Sequence, residues 1–402
     1  MIKDQARHMI GELLEQHKPG TSLAQEFYVD PDIFSAEIDN IFCKHWLFAC
    51  HVSQIPNVGD YILCEFGKES IIVVRSGDNE FKAHVNVCRH RGSRICLEKS
   101  GSGNKFSCPY HAWTYSLDGK LVSAAQMPGD FDPVEYGLHS VHLEIIAGLI
   151  FICLAKTPPS LGRLKNDLAE IIGIFGLDHL KLAKMKSYPI KANWKLAVEN
   201  YQECYHCAPA HKEFARIHAM ARPIKAFQQQ KTDYKNARPP EGIMAEFDAY
   251  FDLAAAGDEG FQYGRNPLIE GKVSGSKDGG PLAPRLGNLP EYTGGASELM
   301  IGPLMYFLIY DDHMVGYRYL PVSQRECVCD IFWFVRDDAV EGTDYEIADL
   351  IWLWDVTTKS DQWIIENNQN GVDSRFYTPG PLSDMEHFLL SFLSWYGKSL
   401  SK

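Results

Sequence analysis

The chain has 402 residues, 45% of them hydrophobic, enough to bury one large core or two moderate ones, and two domains are expected. Its formal charge of −13 supplies no clustered Lys and Arg to displace counterions from a phosphate backbone, which argues against a nucleic-acid partner. The polar start, Met1 to Gly20, and the absence of any long uncharged run argue against a signal peptide or a membrane span, so a soluble cytoplasmic protein is expected.

A charged helical start over Gln5–Gln16 reaches a break at Pro19-Gly20, and a segment with helical periodicity covers Pro31–Trp46. From Gly59 the pattern changes to short strands: Tyr61–Glu65, Ile71–Arg75, Phe81–Val87 and Gly148–Leu154. Turn signals at Gly77-Asp78-Asn79 and Asp118-Gly119 separate them, which predicts a small all-β domain over residues 46–157 with a boundary near Pro158-Pro159. Residues 1–45 then form an N-terminal helical arm packed on a second domain, residues 158–402.

In that second domain a helical segment and a strand over Lys184–Lys191 precede Asn193–Phe214, which reads as one helix with a polar, ligand-rich face. Residues 222–297 are rich in Gly and Pro and poor in periodicity. That stretch is too long for an ordinary connection and is expected to be a lid-like insertion. Leu304–Tyr310, Met314–Leu320 and Cys327–Val335 read as successive antiparallel strands, and Tyr345–Asn370 as a long closing helix.

Eleven cysteines, an odd number spread through a large chain, do not read as a disulfide framework and suit a reducing compartment. Cys43, Cys50, Cys64, Cys96, Cys153, Cys327 and Cys329 lie in apolar surroundings as small core residues. Cys88 and Cys108 differ, because each is followed by a histidine at ligand spacing. Cys88-Arg89-His90 and Cys108-Pro109-Tyr110-His111 offer two thiolates and two imidazoles, a set that suits either a structural zinc or a Rieske-type [2Fe-2S] cluster. Zinc-finger histidines usually follow a cysteine pair on a helix. Here each cysteine carries its own histidine on a loop between strands, so two matching loops can pinch one cluster, with Trp113 and Tyr115 placed to shield it.

Further along, Glu199, Glu203 and His206 fall at helical spacings of three or four that place them on one helix face, with His211 one turn beyond if the helix bends. Two histidines and one carboxylate make the facial triad of a mononuclear non-haem Fe(II), with positions left open for dioxygen and substrate. Asp361 on the closing helix is the best candidate for the carboxylate, with Asp355 and Glu366 as competitors. A cluster that carries single electrons needs an acceptor, and an open ferrous site is one.

Taken together, Cys88-Arg89-His90-Arg91-Gly92, Cys108-Pro109-Tyr110-His111-Ala112-Trp113, Asn193-Trp194-Lys195 and Glu199-Asn200 through His206 to His211 resemble the catalytic α subunit of the Rieske non-haem iron oxygenases. The resemblance implies an α+β chain: a Rieske all-β domain, then a helix-grip catalytic domain with an antiparallel sheet and a long C-terminal helix. It also implies a [2Fe-2S] cluster on Cys88, His90, Cys108 and His111, a mononuclear Fe(II) on His206, His211 and Asp361, and dioxygen as cosubstrate. Glu203, with Asn200 beside it, falls where the family places a carboxylate that bridges the cluster of one subunit to the iron of its neighbour in a homotrimer. Ring-hydroxylating members usually have aspartate there. Glutamate, and the run Glu203-Cys204-Tyr205-His206-Cys207, look more like the branch that acts on glycine betaine, stachydrine, carnitine and choline.

No glycine-rich dinucleotide fingerprint follows a strand, so a separate flavin and iron–sulfur reductase is expected to supply electrons. A cationic substrate asks for an aromatic cage, and Tyr306, Phe307, Tyr310, Tyr317, Tyr319, Phe332 and Trp333 on the predicted strands are its candidates, with Tyr310, Tyr319, Phe307 and Trp333 foremost. Arg318 is a candidate partner for a substrate carboxylate. The expected reaction is monooxygenation ending in N-demethylation. Hydroxylation of a small aromatic acid is the alternative, and an electron carrier that uses only its cluster domain is the reading from a different class.

Overall fold

In the computed structural model residues 2–238, 241–248 and 257–401 are described. They divide into a small unit, residues 44–158, and a large unit that joins residues 1–43 to 159–402.

The large unit begins with helix α1, Ile2–Gln16, and helix α2, Pro31–Glu37. The start of α2 is dictated locally: the Asp30 carboxylate accepts from the backbone N–H groups of Asp32 (2.8 Å) and Ile33 (3.0 Å), while Pro31 supplies a preset φ in the first turn. The predicted helix over Pro31–Trp46 is therefore shorter, because the turn widens over Ile38–Phe42 and the chain then enters a strand.

The small unit is built from β1 (Leu47–His51), β2 (Asp60–Phe66), β3 (Glu69–Gly77), β4 (Glu80–Val85), β5 (Ser100–Ser102), β6 (Phe106–Ser107), β7 (Thr114–Tyr115), β8 (Leu121–Ser123), β9 (Ser140–Ile146) and β10 (Leu149–Cys153). One sheet has the order β1-β10-β9-β4-β3-β2-β5, and β6-β7-β8 form a second, three-stranded one. Apolar runs in β3 and β10 bury Ile71–Val74 and Leu149–Cys153 completely or nearly so. A second buried cluster holds Ile72, Val74, Ile95, Phe106, Trp113 and Tyr115 together with Cys88 and Cys108. The cysteines sit on the loop after β4 and on the loop between β6 and β7, each anchored in that core.

The rest of the large unit comprises α3 (Gly162–Phe175), β11 (Leu180–Ile190), α4 (Trp194–Tyr201), α5 (Ile224–Asn236), β12 (Phe247–Asp248), β13 (Phe261–Pro267), β14 (Gly295–Ile301), β15 (Met305–Ile309), β16 (Met314–Ser323), β17 (Glu326–Arg336), α6 (Ile347–Val372) and α7 (His387–Leu400). Helix α3 stops at Gly176, whose φ of 59° is open to glycine without strain. The strands form one antiparallel sheet in the order β11-β17-β16-β15-β14-β13-β12. Within residues 222–297, helix α5 and the strand β13 are regular elements that their polar composition hid. Apolar periodicity fails there because α5, IKAFQQQKTDYKN, buries no residue fully and so carries no strong apolar stripe. Residues 239–240 and 249–256 of that stretch lie outside the described residues.

Register decides which side chains share a sheet face. Tyr306 opposes Tyr317, Leu308 opposes Val315, Tyr317 opposes Ile331 and Tyr319 opposes Cys329, so these side chains lie on one face with Trp333, which opposes Val315. That face meets α6: the Tyr317 hydroxyl is 3.4 Å from Thr358 Oγ1, and the Tyr317 and Trp354 ring centroids are 5.7 Å apart. Phe307 opposes Gly316, and Gly316 opposes Phe332, so both phenylalanines point to the other face. The expectation that Phe307 and Phe332 join the tyrosines in one cage is corrected by this alternation. Arg318 is corrected too, since it is buried and bound to Asp330 at 2.6 Å, with no free guanidinium edge turned to the tyrosine face.

Helix α4 is held at its first turn. The Asn193 side-chain oxygen accepts from the Lys195 N–H (3.1 Å), and its amide donates to the carbonyls of Tyr28 (3.1 Å) and Gln324 (2.9 Å). Its backbone N–H donates to Gln369 of α6 at 2.8 Å. The next two residues lock the helix to α2, because the Trp194 indole donates to Glu37 at 2.7 Å and the buried Lys195 ammonium pairs with the same carboxylate.

Candidate metal centres

The two loops of the small unit repeat one backbone design. Cys88 N–H donates to Ser93 O (2.8 Å) and Gly92 N–H returns to Cys88 O (3.0 Å); Cys108 N–H donates to Trp113 O (2.8 Å) and Ala112 N–H returns to Cys108 O (3.0 Å). The fourth residue after each cysteine has positive φ, 80° at Gly92 and 57° at Ala112. Each loop thus turns its cysteine inward and its histidine outward. Cys88 and Cys108 are buried and unbridged, His90 is half-buried, and His111 is exposed.

The Nδ1 atoms of His90 and His111 face each other at 3.2 Å. Only one of two such nitrogens can donate to the other, and a metal edge between them satisfies both lone pairs at once. The four donors therefore fit a Rieske [2Fe-2S] cluster, with thiolates toward the core and imidazoles toward the surface. Trp113 stacks on His90 with centroids 4.8 Å apart, and the Tyr115 hydroxyl lies 3.3 Å from Cys88 Sγ while accepting the Arg89 N–H at 3.1 Å. Burial raises the pKa of the Cys88 thiol, and the Tyr115 hydrogen bond works in the opposite direction. Asn86 was not singled out by spacing. It sits two residues before Cys88, accepts from the N–H groups of Ile95 (3.0 Å) and Cys96 (2.9 Å), and donates to Cys96 O (2.8 Å), which ties the first loop shut.

In the large unit the predicted single helix over Asn193–Phe214 is broken. Helix α4 ends at Tyr201, and only short turns at Cys207–Ala210 and Lys212–Ala215 follow. The cause is local: the Glu203 carboxylate takes the backbone N–H groups of Tyr205 and His206, and a Cys204–Cys207 disulfide closes the same turn. This disulfide departs from the expectation of cysteines that are all reduced. The break also separates Glu199 from the ligand face, and its carboxylate instead accepts from the Tyr28 hydroxyl at 3.0 and 3.2 Å.

The turn brings three groups together. Asp361 Oδ1 lies 2.7 Å from His211 Nε2 and 3.3 Å from His206 Nε2, and the three ligand atoms all fall within 4.8 Å of one another. Asn200 Nδ2 approaches His206 Nε2 at 3.4 Å, and Glu203 holds His206 Nδ1. Asp355 and Glu366 are engaged elsewhere: Asp355 accepts from Lys186, Tyr188 and Lys359, and Glu366 from the Lys191 N–H at 3.0 Å. One carboxylate against two imidazole Nε2 atoms fits a single ferrous ion with open positions. Burial disfavours charge on His206, yet its hydrogen bonds to Asp361 and Glu203 outweigh it and lift its pKa to about 9. The pair of carboxylates thus favours positive charge at this point, whether proton or metal. A groove of about 630 Å³ opens beside it, lined by Glu203, Tyr205, His206, Arg222 and Met385 among others.

The Tyr201 ring leaves the end of α4 and packs on Tyr306 (centroids 4.1 Å apart) and Tyr317 (4.9 Å), with Tyr319 at 6.1 Å. Tyr201 was not among the residues selected from the strands; its place immediately after Asn200 was the available signal. Tyr310 is engaged differently, its hydroxyl 2.6 Å from His218 Nε2 and its ring stacked on His313. Trp333 lies on the tyrosine face, and its buried indole nitrogen has no hydrogen-bond partner among the described residues.

Residues 177–402 match the family described as the ring hydroxylating alpha subunit (catalytic domain), and residues 45–140 match the Rieske [2Fe-2S] domain. The chain is 35% identical to the glycine betaine monooxygenase oxygenase subunit of Chromohalobacter salexigens, over 98% of this chain and 89% of that one. It is 37% identical to the carnitine monooxygenase oxygenase subunit of Escherichia coli over 48% of this chain and 53% of the relative. A solved quaternary ammonium Rieske monooxygenase shares the fold with a TM-score of 0.73 at 24% identity, covering 95% of this chain and 96% of that one. Naphthalene 1,2-dioxygenase from Rhodococcus sp. shares it with a TM-score of 0.67 at 20% identity, covering 100% and 99% of the two chains.

Proposed function

The chain belongs to the Rieske ring-hydroxylating α-subunit family, and on that premise we propose that it is the terminal oxygenase for N-demethylation of a quaternary ammonium compound. It is an oxidoreductase that uses a Rieske cluster, a mononuclear iron and dioxygen. When bound, the cluster on Cys88, His90, Cys108 and His111 supplies single electrons, and the iron on His206, His211 and Asp361 supplies dioxygen activation. The observation that carries the choice of substrate is the group of Tyr201, Tyr306, Tyr317 and Tyr319 on the face that meets α6, the helix of Asp361. Electron-rich ring faces attract a cation that has no N–H to donate, whereas an aromatic acid needs only an apolar slot.

In the proposed reaction one oxygen atom enters an N-methyl C–H bond and the other leaves as water, using two electrons and two protons. The hydroxymethyl ammonium product then loses formaldehyde and a proton to give the demethylated amine. The residues of the chain orient the reacting methyl group, exclude water and hold charge. His211 is buried and fixed by Asp361; His206 is fixed between Asp361 and Glu203. Asn200 and Gln202 flank Tyr201, and Gln202 donates to the Tyr306 hydroxyl at 2.8 Å, which stiffens the ring cluster.

The proposal includes a separate flavin and iron–sulfur reductase as electron donor, a homotrimer in which Glu203 bridges to the cluster of a neighbouring subunit, a lid role for part of residues 222–297, and a cytoplasmic location. Among the described residues no helix is long and apolar enough to cross a membrane. The deciding experiment supplies the protein with a reductase and measures oxygen uptake and formaldehyde release over glycine betaine, carnitine, choline and small aromatic acids. Formaldehyde from a trimethylammonium compound is expected. Turnover confined to the aromatic acids would replace the demethylase reading with ring hydroxylation.

A further inference from the structure

Strand β14 places a carboxylate, Glu298, on the same sheet face as the tyrosines. Glu298 opposes Leu308, and Met300 opposes Tyr306, which in turn opposes Tyr317; alternation along the strands therefore sets Glu298, Tyr306, Tyr317 and Tyr319 on one side of the sheet. Glu298 is a diagonal neighbour of Tyr306, a separation of roughly 7 Å that long side chains span. Tyr201 packs over the same face from α4, and Trp354 and Thr358 face it from α6, seven and three residues before Asp361 and so on the same helix side.

Three other interior carboxylates of this unit have cationic partners. Asp311 binds Arg265, Asp330 binds Arg318, and Glu37 binds Lys195. Glu298 has no ion-pair partner among the described residues. The cation that acts on it, Lys231, is itself paired with Glu246 at 3.1 Å. The side chain is only half-buried, so its carboxylate is not packed into the core. Burial raises its carboxyl pKa, with Lys231 and Asn266 relieving part of the cost. An unpaired carboxylate in such a place destabilises the empty protein, and a cation beside it removes that cost.

We propose that Glu298 is the anionic contact for the quaternary ammonium head of the substrate and, with the tyrosines on its sheet face, selects that cation over neutral molecules of the same shape. This rests on the demethylase reading and adds the residue that enforces it. A tetraalkylammonium ion offers no hydrogen to donate, so its recognition comes from ring faces and from a carboxylate held nearby. A neutral ligand fills the same volume but leaves Glu298 without its counterion. Selectivity then arises from the penalty on the wrong ligand as well as from attraction of the right one.

The test uses the holoenzyme and Glu298→Gln, which keeps shape and removes charge, with Glu298→Asp as the conservative variant. The probes are the trimethylammonium compound that the unmodified enzyme demethylates fastest and its isostere with a tert-butyl group in place of the trimethylammonium. Anaerobic titration calorimetry gives both affinities, and formaldehyde release gives KM and kcat. The expected result for Glu298→Gln is a loss of about tenfold or more in affinity for the cation with kcat less affected. Binding of the tert-butyl isostere should be unchanged or tighter, and Glu298→Asp should recover part of the loss. Equal affinities in the unmodified enzyme and Glu298→Gln, or an equal loss for both probes, would overturn the role of Glu298 while demethylation itself continued. If the unmodified enzyme neither binds nor demethylates any trimethylammonium compound, the demethylase reading falls and the role of Glu298 falls with it.

Discussion

Asp361 Oδ1 lies 2.7 Å from His211 Nε2, joining the middle of α6 to a turn 150 residues earlier in the chain. Moving Asp361 alone would leave the buried His211 Nε2 without its partner. Replacing Asp361 or His206 by Ala is therefore expected to remove one iron per chain and abolish formaldehyde formation, while the visible spectrum of the cluster stays intact. Iron analysis beside the spectrum checks this. Joint loss of the cluster signal would argue that the two centres are not independent.

Glu203 has two jobs that one substitution separates. Its carboxylate accepts the Tyr205 and His206 N–H groups, and it holds His206 Nδ1. Glutamine keeps an acceptor oxygen for the turn but removes the charge, so under the proposed bridging role Glu203→Gln slows electron arrival by an order of magnitude or more with both metal centres loaded. Single-turnover kinetics with pre-reduced protein measures this. An unchanged rate would leave Glu203 with the turn alone.

Tyr115→Phe removes the hydroxyl that lies 3.3 Å from Cys88 Sγ. A hydrogen bond to a ligand sulfur stabilises the reduced, more negative cluster, so its loss should lower the midpoint potential. Taking the bond as about 1 kcal/mol, the shift is roughly 40 mV for a one-electron couple. A redox titration followed by visible absorption reads it, and an unshifted midpoint would show that the hydroxyl serves only the Arg89 N–H.

These centres differ in how far the sequence exposed them. Cys88, His90, Cys108 and His111 lie within two short loops, and the repeated pairing of thiolate with imidazole is itself the chemical signal. The strands β2, β3, β4 and β10 were legible because their apolar runs are bounded by turns, whereas β5 to β8, two or three residues each, are too short to show a period. Around His206 the periodicity misled: spacings of three and four fit a helix, but the carboxylate of Glu203 and the Cys204–Cys207 bond end it, so Glu199 belongs to Tyr28. Asp361, Asp355 and Glu366 lie on one helix with similar local context. Their separation into one group beside the histidines and two bound elsewhere depends on contacts more than 140 residues apart in sequence, which no local pattern encodes.

The same displaced carboxylate supplies a pH signature. Burial raises the pKa of Glu199 to about 8, against partial relief from the Tyr28 hydroxyl and Lys195. In the unfolded chain a glutamate titrates near about 4.3. Between those values the folded chain keeps a proton that the unfolded chain has lost, so rising pH favours unfolding through that window and has no further effect on this group above it. Glu199→Gln keeps an acceptor for Tyr28 but cannot ionise. The variant should therefore gain stability relative to the unmodified protein as pH rises from about 5 to about 8, and the difference should level off beyond. Thermal or denaturant unfolding of both proteins across that range measures the difference directly. A gap that does not vary with pH would show that Glu199 is ionised in the folded chain, with Lys195 then shared between it and Glu37.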